Sequence, residues 1–87
     1  MERNELYPIF LKVNNLQVLI VGGGNVGLEK LSFLLKSSPN AQVQMVAPDF
    51  LEDTLALASK HHVEITREPY HVSFLEGKHM VIACTDR

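Results

Sequence analysis

Apolar positions in this chain follow two patterns. Short unbroken runs alternate with longer stretches whose apolar residues recur at helical spacing. Tyr7 to Val13 (YPIFLKV) reads as a short strand, with Pro8 marking an edge position. Asn14 and Asn15 form a turn. Gln17 to Gly22 reads as the first central strand, because its continuous apolar character suits a strand covered on both faces. From Asn25 to Lys36 the period changes. Leu28, Leu31 and Leu35 make one apolar stripe, with Glu29, Lys30 and Lys36 off it, which predicts a helix. Ser37 to Asn40 (SSPN) stops that helix.

Val43 to Ala47 is the second central strand. Pro48 and Asp49 are expected to open a second helix, with Leu51, Leu55 and Ala58 as its inner face. Val63 to Thr66 reads as a third strand. Glu68 to Lys78 is a loop with one short helical turn around Ser73 to Glu76, and Met80 to Cys84 is a fourth strand. Strands separated by helical patterns predict an α/β fold, a Rossmann-like parallel sheet with helices on both faces and right-handed crossovers. The chain stops just after the fourth strand. A full dinucleotide fold has two halves, so residues 1–87 are expected to be one NAD-binding domain cut from a longer protein.

The turn after the first strand carries the candidate chemistry. Gly22, Gly24 and Gly27 fit the G-x-G-x-x-G dinucleotide fingerprint, with Gly23 between the first two. A strand precedes the motif and a helix follows, as the fingerprint requires. Gly22 permits the tight turn. Gly24 has no β-carbon, so a pyrophosphate can approach the backbone. Gly27 lets the helix pack closely on the sheet. The helix N-terminus then offers N–H groups and about half a unit of positive charge to phosphates. No Gly-Lys-Ser/Thr follows the glycines, which excludes a P-loop. The bland alternative is a glycine-rich turn that binds nothing.

Asp49 lies about 20 residues beyond the motif, where dinucleotide folds place an acid on the ribose hydroxyl. It has a second, compatible reading as an N-cap, with Glu52 completing a capping box. No Lys or Arg occurs between Met45 and Asp53, so NAD is expected over NADP. Thr85 and Asp86 sit beyond the fourth strand, either to contact the nicotinamide ribose or to turn the chain. The adjacent His61 and His62, placed on a strand, would point to opposite faces, and no metal site is expected from them. No nucleophile–base pair occurs, so no catalytic residue is assigned.

Composition narrows the rest. Net charge is −2, which gives no basic footprint for nucleic acid. Apolar residues make up 46% and charged residues 21%, ordinary values for a globular domain. No apolar run approaches the ~20 residues of a membrane span. The N-terminus lacks a signal-peptide layout. The single cysteine, Cys84, lies in an apolar run and reads as a buried thiol. A cytoplasmic location is expected.

The segment PIFLKV followed by VLIVGGGNVGLEKLSFLL resembles the N-terminal domain of siroheme synthase, the precorrin-2 dehydrogenase family. The later VAPDF and the final VIACTDR are similar to that family's second strand end and its ATD loop, so the resemblance runs from Tyr7 to Asp86. It implies NAD-dependent oxidation of precorrin-2 to sirohydrochlorin, in a protein sometimes credited with ferrochelatase activity too. It implies cofactor contacts at Asn25 and Val26, at Pro48 and Asp49, and at Cys84 and Thr85. Cys84 stands where the family commonly has alanine. The family's proposed acid/base aspartate, its dimerisation part and its tetrapyrrole-binding part would lie beyond Arg87. A tetrapyrrole substrate and a homodimer are therefore expectations for the longer protein. The rival reading is a regulatory, non-catalytic NAD-sensing domain of the same fold.

Overall fold

The structure is a computed structural model that describes residues 16–84. The expected strand at Tyr7 to Val13 and the residues Thr85 and Asp86 lie outside the described residues. Strand β1 (Gln17–Val21) leads into helix α1 (Asn25–Ser37), strand β2 (Gln42–Ala47), helix α2 (Glu52–His61) and strand β3 (Glu64–Arg67). A 3₁₀ turn (Val72–Leu75) then precedes strand β4 (Met80–Ala83). The four strands form one sheet in the order β3-β2-β1-β4, and every pairing is parallel.

This order follows from chain chirality. The β1-α1-β2 and β2-α2-β3 crossovers step in the same direction, so right-handed connections put both helices on one face. The two helices do pack against each other. The connection from β3 returns past β2 and β1 to reach β4. A right-handed connection in that direction runs over the other face.

The core lies between the sheet and the helices. Val18 and Ile20 of β1 and Val43 and Met45 of β2 pack on Leu31, Leu34 and Leu35 of α1. Leu19 and Val46, on the opposite side of the pleat, are also fully buried. The continuous apolar run of β1 therefore serves two covered faces, as its sequence implies. Gly27 is buried in the same stripe of α1, and Leu28 is only half-buried. Among the described residues, no helix is long and apolar enough to cross a membrane.

Helix α2 departs from expectation. It starts at Glu52 rather than at Pro48 and Asp49, its N-cap is Leu51, and no side chain caps it. The Asp49–Glu52 capping box does not form. The reason is tertiary: the chain first crosses over the glycine turn, and the Leu51 amide donates to the Gly23 carbonyl at 3.1 Å. The inner face shifts accordingly. Thr54 and Ala58 are its buried residues, Leu57 packs on the core, and Leu51 is exposed.

The histidines also fall elsewhere. His61 ends α2 and His62 is its C-cap in a left-handed conformation, so neither lies on a strand. The His71 ring accepts from the Ser73 amide and caps the 3₁₀ turn. His79 Nδ1 accepts from the Gln17 amide at 2.9 Å, while the His79 amide donates to the Gln17 carbonyl. That pair pins the start of β4 to the start of β1.

Candidate functional site

The strand order places a topological switch point between β1 and β4. In open α/β sheets ligands bind there, outside the carboxyl ends of the strands. Two segments meet at that point. The glycine turn leaves β1, and Cys84 leaves β4, its amide donating to the Val21 carbonyl at 2.8 Å. The turn is steep because Gly22 takes φ 131°, a conformation L side chains rarely adopt. A β-carbon on Gly22 would also stand 2.6 Å from the Cys84 carbonyl oxygen.

Two further glycines are required by close approach. A β-carbon on Gly27 would collide with the Gly22 carbonyl oxygen. Gly27 therefore seats the first turn of α1 on the loop, as the fingerprint predicts. A β-carbon on Gly23 would collide with the carbonyl oxygen of Asp49 and crowd the Phe50 ring. The spacing rule assigns Gly23 no role, and this one is visible only once β2 lies beside β1.

Gly24 is the N-cap of α1, with extended backbone and no side-chain cap. The first turn of α1 contains no acidic residue, whereas α2 begins with Glu52 and Asp53. The first turn of α1 thus brings no carboxylate of its own to the positive end of the dipole, which suits an anion. The α2 end is already balanced.

A cavity of about 290 Å³ opens here, lined by Gly23, Gly24, Asp49, Phe50, Leu51 and Cys84. Four residues singled out from the sequence thus share one wall: Gly23, Gly24, Asp49 and Cys84. Asn25 is exposed at the first position of α1, and Val26 is half-buried behind it. Gly22 and Gly27 shape the turn without lining the cavity. Pro48 is exposed and also outside the lining. Thr85 lies outside the described residues. Phe50 and Leu51 are additions that sequence reasoning missed. Their signal was their place after Asp49, which the helix expectation hid.

The cavity offers one exposed carboxylate, one aromatic ring, one thiol and a stretch of bare backbone. That set can hold a sugar hydroxyl, a flat ring and a phosphate. Among the described residues that line it, no base is aimed at a nucleophile. Among the described residues, no group of three or more His, Cys, Asp or Glu side chains could hold a metal ion.

One family model and several known proteins match this chain. A family model described as "Putative NAD(P)-binding" matches residues 9–87. The siroheme synthase of Pseudoalteromonas translucida is 43% identical over 79 residues, which is 91% of this chain and 16% of that protein. The siroheme synthase of Chromobacterium violaceum is 37% identical over 82 residues, 94% of this chain and 17% of that protein. The solved structure of SirC, precorrin-2 dehydrogenase, superposes with a TM-score of 0.78 at 21% identity, covering 94% of this chain and 40% of that one. At that identity the likeness concerns the fold. The chain spans about one sixth of the siroheme synthases it matches. By its match over residues 9–87, the chain belongs to this NAD(P)-binding family, as a domain related to the N-terminal part of siroheme synthase.

Proposed function

We propose that this chain is the NAD-binding part of a precorrin-2 dehydrogenase, which oxidises precorrin-2 to sirohydrochlorin. The observation that carries the reading is the crevice at the switch point, where Gly24, the N-cap of α1, and Asp49 line one cavity. The kinship with siroheme synthases supports the choice of substrate. The same reading takes the longer protein to be a cytoplasmic homodimer with a tetrapyrrole substrate.

The residues present fit a dinucleotide. Gly24 leaves room at the helix end for the pyrophosphate. Asn25 and Val26 would lie under it as the first turn of α1. The Asp49 carboxylate would accept from ribose hydroxyls, with Pro48 setting the bend before it. Cys84, followed by Thr85, would border the nicotinamide half. NAD supplies the acceptor for a hydride. The protein's share is to bind, orient and exclude water.

The test has two readouts. Calorimetric titration of NAD into the chain should show saturable one-site binding. Residues 9–87 should also replace the matching segment of the Pseudoalteromonas translucida siroheme synthase. With precorrin-2 under anaerobic conditions, that chimera should produce NADH. Binding without turnover would favour a sensing domain. No binding would sink both readings.

A further inference from the structure

A cation stands at the same edge of the sheet as the crevice, although linear distance hides it. No lysine or arginine occurs between Met45 and Asp53. Strands β2 and β3 are neighbours, however, and their register sets Ala47 opposite Arg67. Each residue is the last of its strand, so both stand at the carboxyl edge, where the crevice opens. Asp49 follows Ala47 by two positions. Adjacent strands run about 4.8 Å apart, well within the reach of an arginine side chain.

The orientation is also suitable. Strand side chains alternate between faces. Ile65 packs against the helix-side core, so Arg67, two residues on, shares the face that carries both helices. Arg67 is exposed. Among the described residues, no hydrogen bond or ion pair occupies its guanidinium.

Resting on the dinucleotide reading above, we propose that Arg67 is a specificity-determining residue of the cofactor site, one that receives the 2′-phosphate of NADP in opposition to Asp49. A carboxylate accepts from free ribose hydroxyls and repels a phosphate. A guanidinium fork matches phosphate oxygens in pairs. Arg67 at the end of β3 and Asp49 two residues past β2 would approach the same ribose from different sides. Preference for NAD then comes from the Asp49 charge and not from any lack of a cation. Removing that charge admits NADP without introducing a new basic residue.

The test uses the full chain with 5′-AMP and 2′,5′-ADP as probes, titrated calorimetrically. Wild type should bind 5′-AMP more tightly than 2′,5′-ADP. Asp49→Asn should raise affinity for 2′,5′-ADP by about tenfold, the scale of a hydrogen bond to a charged group. Adding Arg67→Ala should remove that gain while moving 5′-AMP far less. The gain should also shrink with added salt, since the pair is exposed. Lys60→Ala, at the far end of α2, removes an equal charge and should leave both affinities in place. Circular dichroism checks that the variants stay folded. Equal 2′,5′-ADP affinity in Asp49→Asn with and without Arg67, beside normal 5′-AMP binding, would overturn this assignment alone. Failure of wild type to bind 5′-AMP or NAD would overturn the dinucleotide reading as well.

Discussion

The Leu51 amide donates to the Gly23 carbonyl at 3.1 Å. That single bond joins the segment before α2 to the glycine turn after β1. It holds Asp49 and Phe50 against Gly23, and so forms one wall of the crevice.

Close packing at Gly23 can be measured as stability. Gly23→Ala should cost about 1–3 kcal/mol, because the added methyl meets backbone that cannot move freely. Gly77→Ala is the contrast. It has φ 75° and nothing within 4 Å of a new β-carbon, so only local strain is felt, about 1 kcal/mol. Urea unfolding of both variants gives the comparison. Equal losses would mean that the Asp49 segment yields easily.

Gly24 is a different case. Its backbone is extended, at φ −91°, and other residues adopt that conformation. Gly24→Val should therefore keep the fold and abolish NAD binding, because the branched side chain fills the approach to the α1 end. Native circular dichroism with unchanged calorimetric affinity would reduce the loop to a plain turn.

Asp49→Ala should narrow the preference for NAD over NADP. It should change stability by less than about 0.5 kcal/mol, as for an ordinary surface substitution. The side chain is exposed and does not cap α2. A loss near 1 kcal/mol, the usual worth of an N-cap, would restore the capping role.

Thr54 is fully buried on α2, and its hydroxyl has no hydrogen-bond partner among the described residues. Thr54→Val keeps the shape and removes the unpaired group. It should stabilise the fold by about 1 kcal/mol, since a buried unsatisfied hydroxyl costs on the order of 1–3 kcal/mol. A lowered thermal midpoint would show that the hydroxyl is satisfied in solution.

Finally, the chain as tested alone should not turn over precorrin-2, even if it binds NAD. Among the described residues that line the crevice, Asp49 and Cys84 are the ionisable ones. Catalysis needs reacting atoms held about 3–3.5 Å apart, and this wall touches one reactant only. Steady NADH formation in an anaerobic assay would place the chemistry within residues 1–87.

Much of this molecule is legible in the linear chain because its signals are local. The apolar run of β1, the stripe of α1 and the G-x-G-x-x-G spacing each depend on neighbours a few residues away. They suffice for a parallel α/β sheet and for a turn suited to phosphate. The start of α2 is not legible there, for the opposite reason. Asp49 and Glu52 satisfy a local capping rule, but Leu51 bonds to a carbonyl 28 positions earlier. The place of Arg67 is hidden on the same ground, since only the β2–β3 register sets it beside Ala47. So is the tie between His79 and Gln17, which joins residues 62 positions apart. The sequence by itself determined that β1 is covered on both faces, that α1 has one apolar stripe and that the chain turns at the glycines. The tertiary structure alone decided which distant groups share the crevice, because strand register and close backbone approach exist only after the sheet has formed.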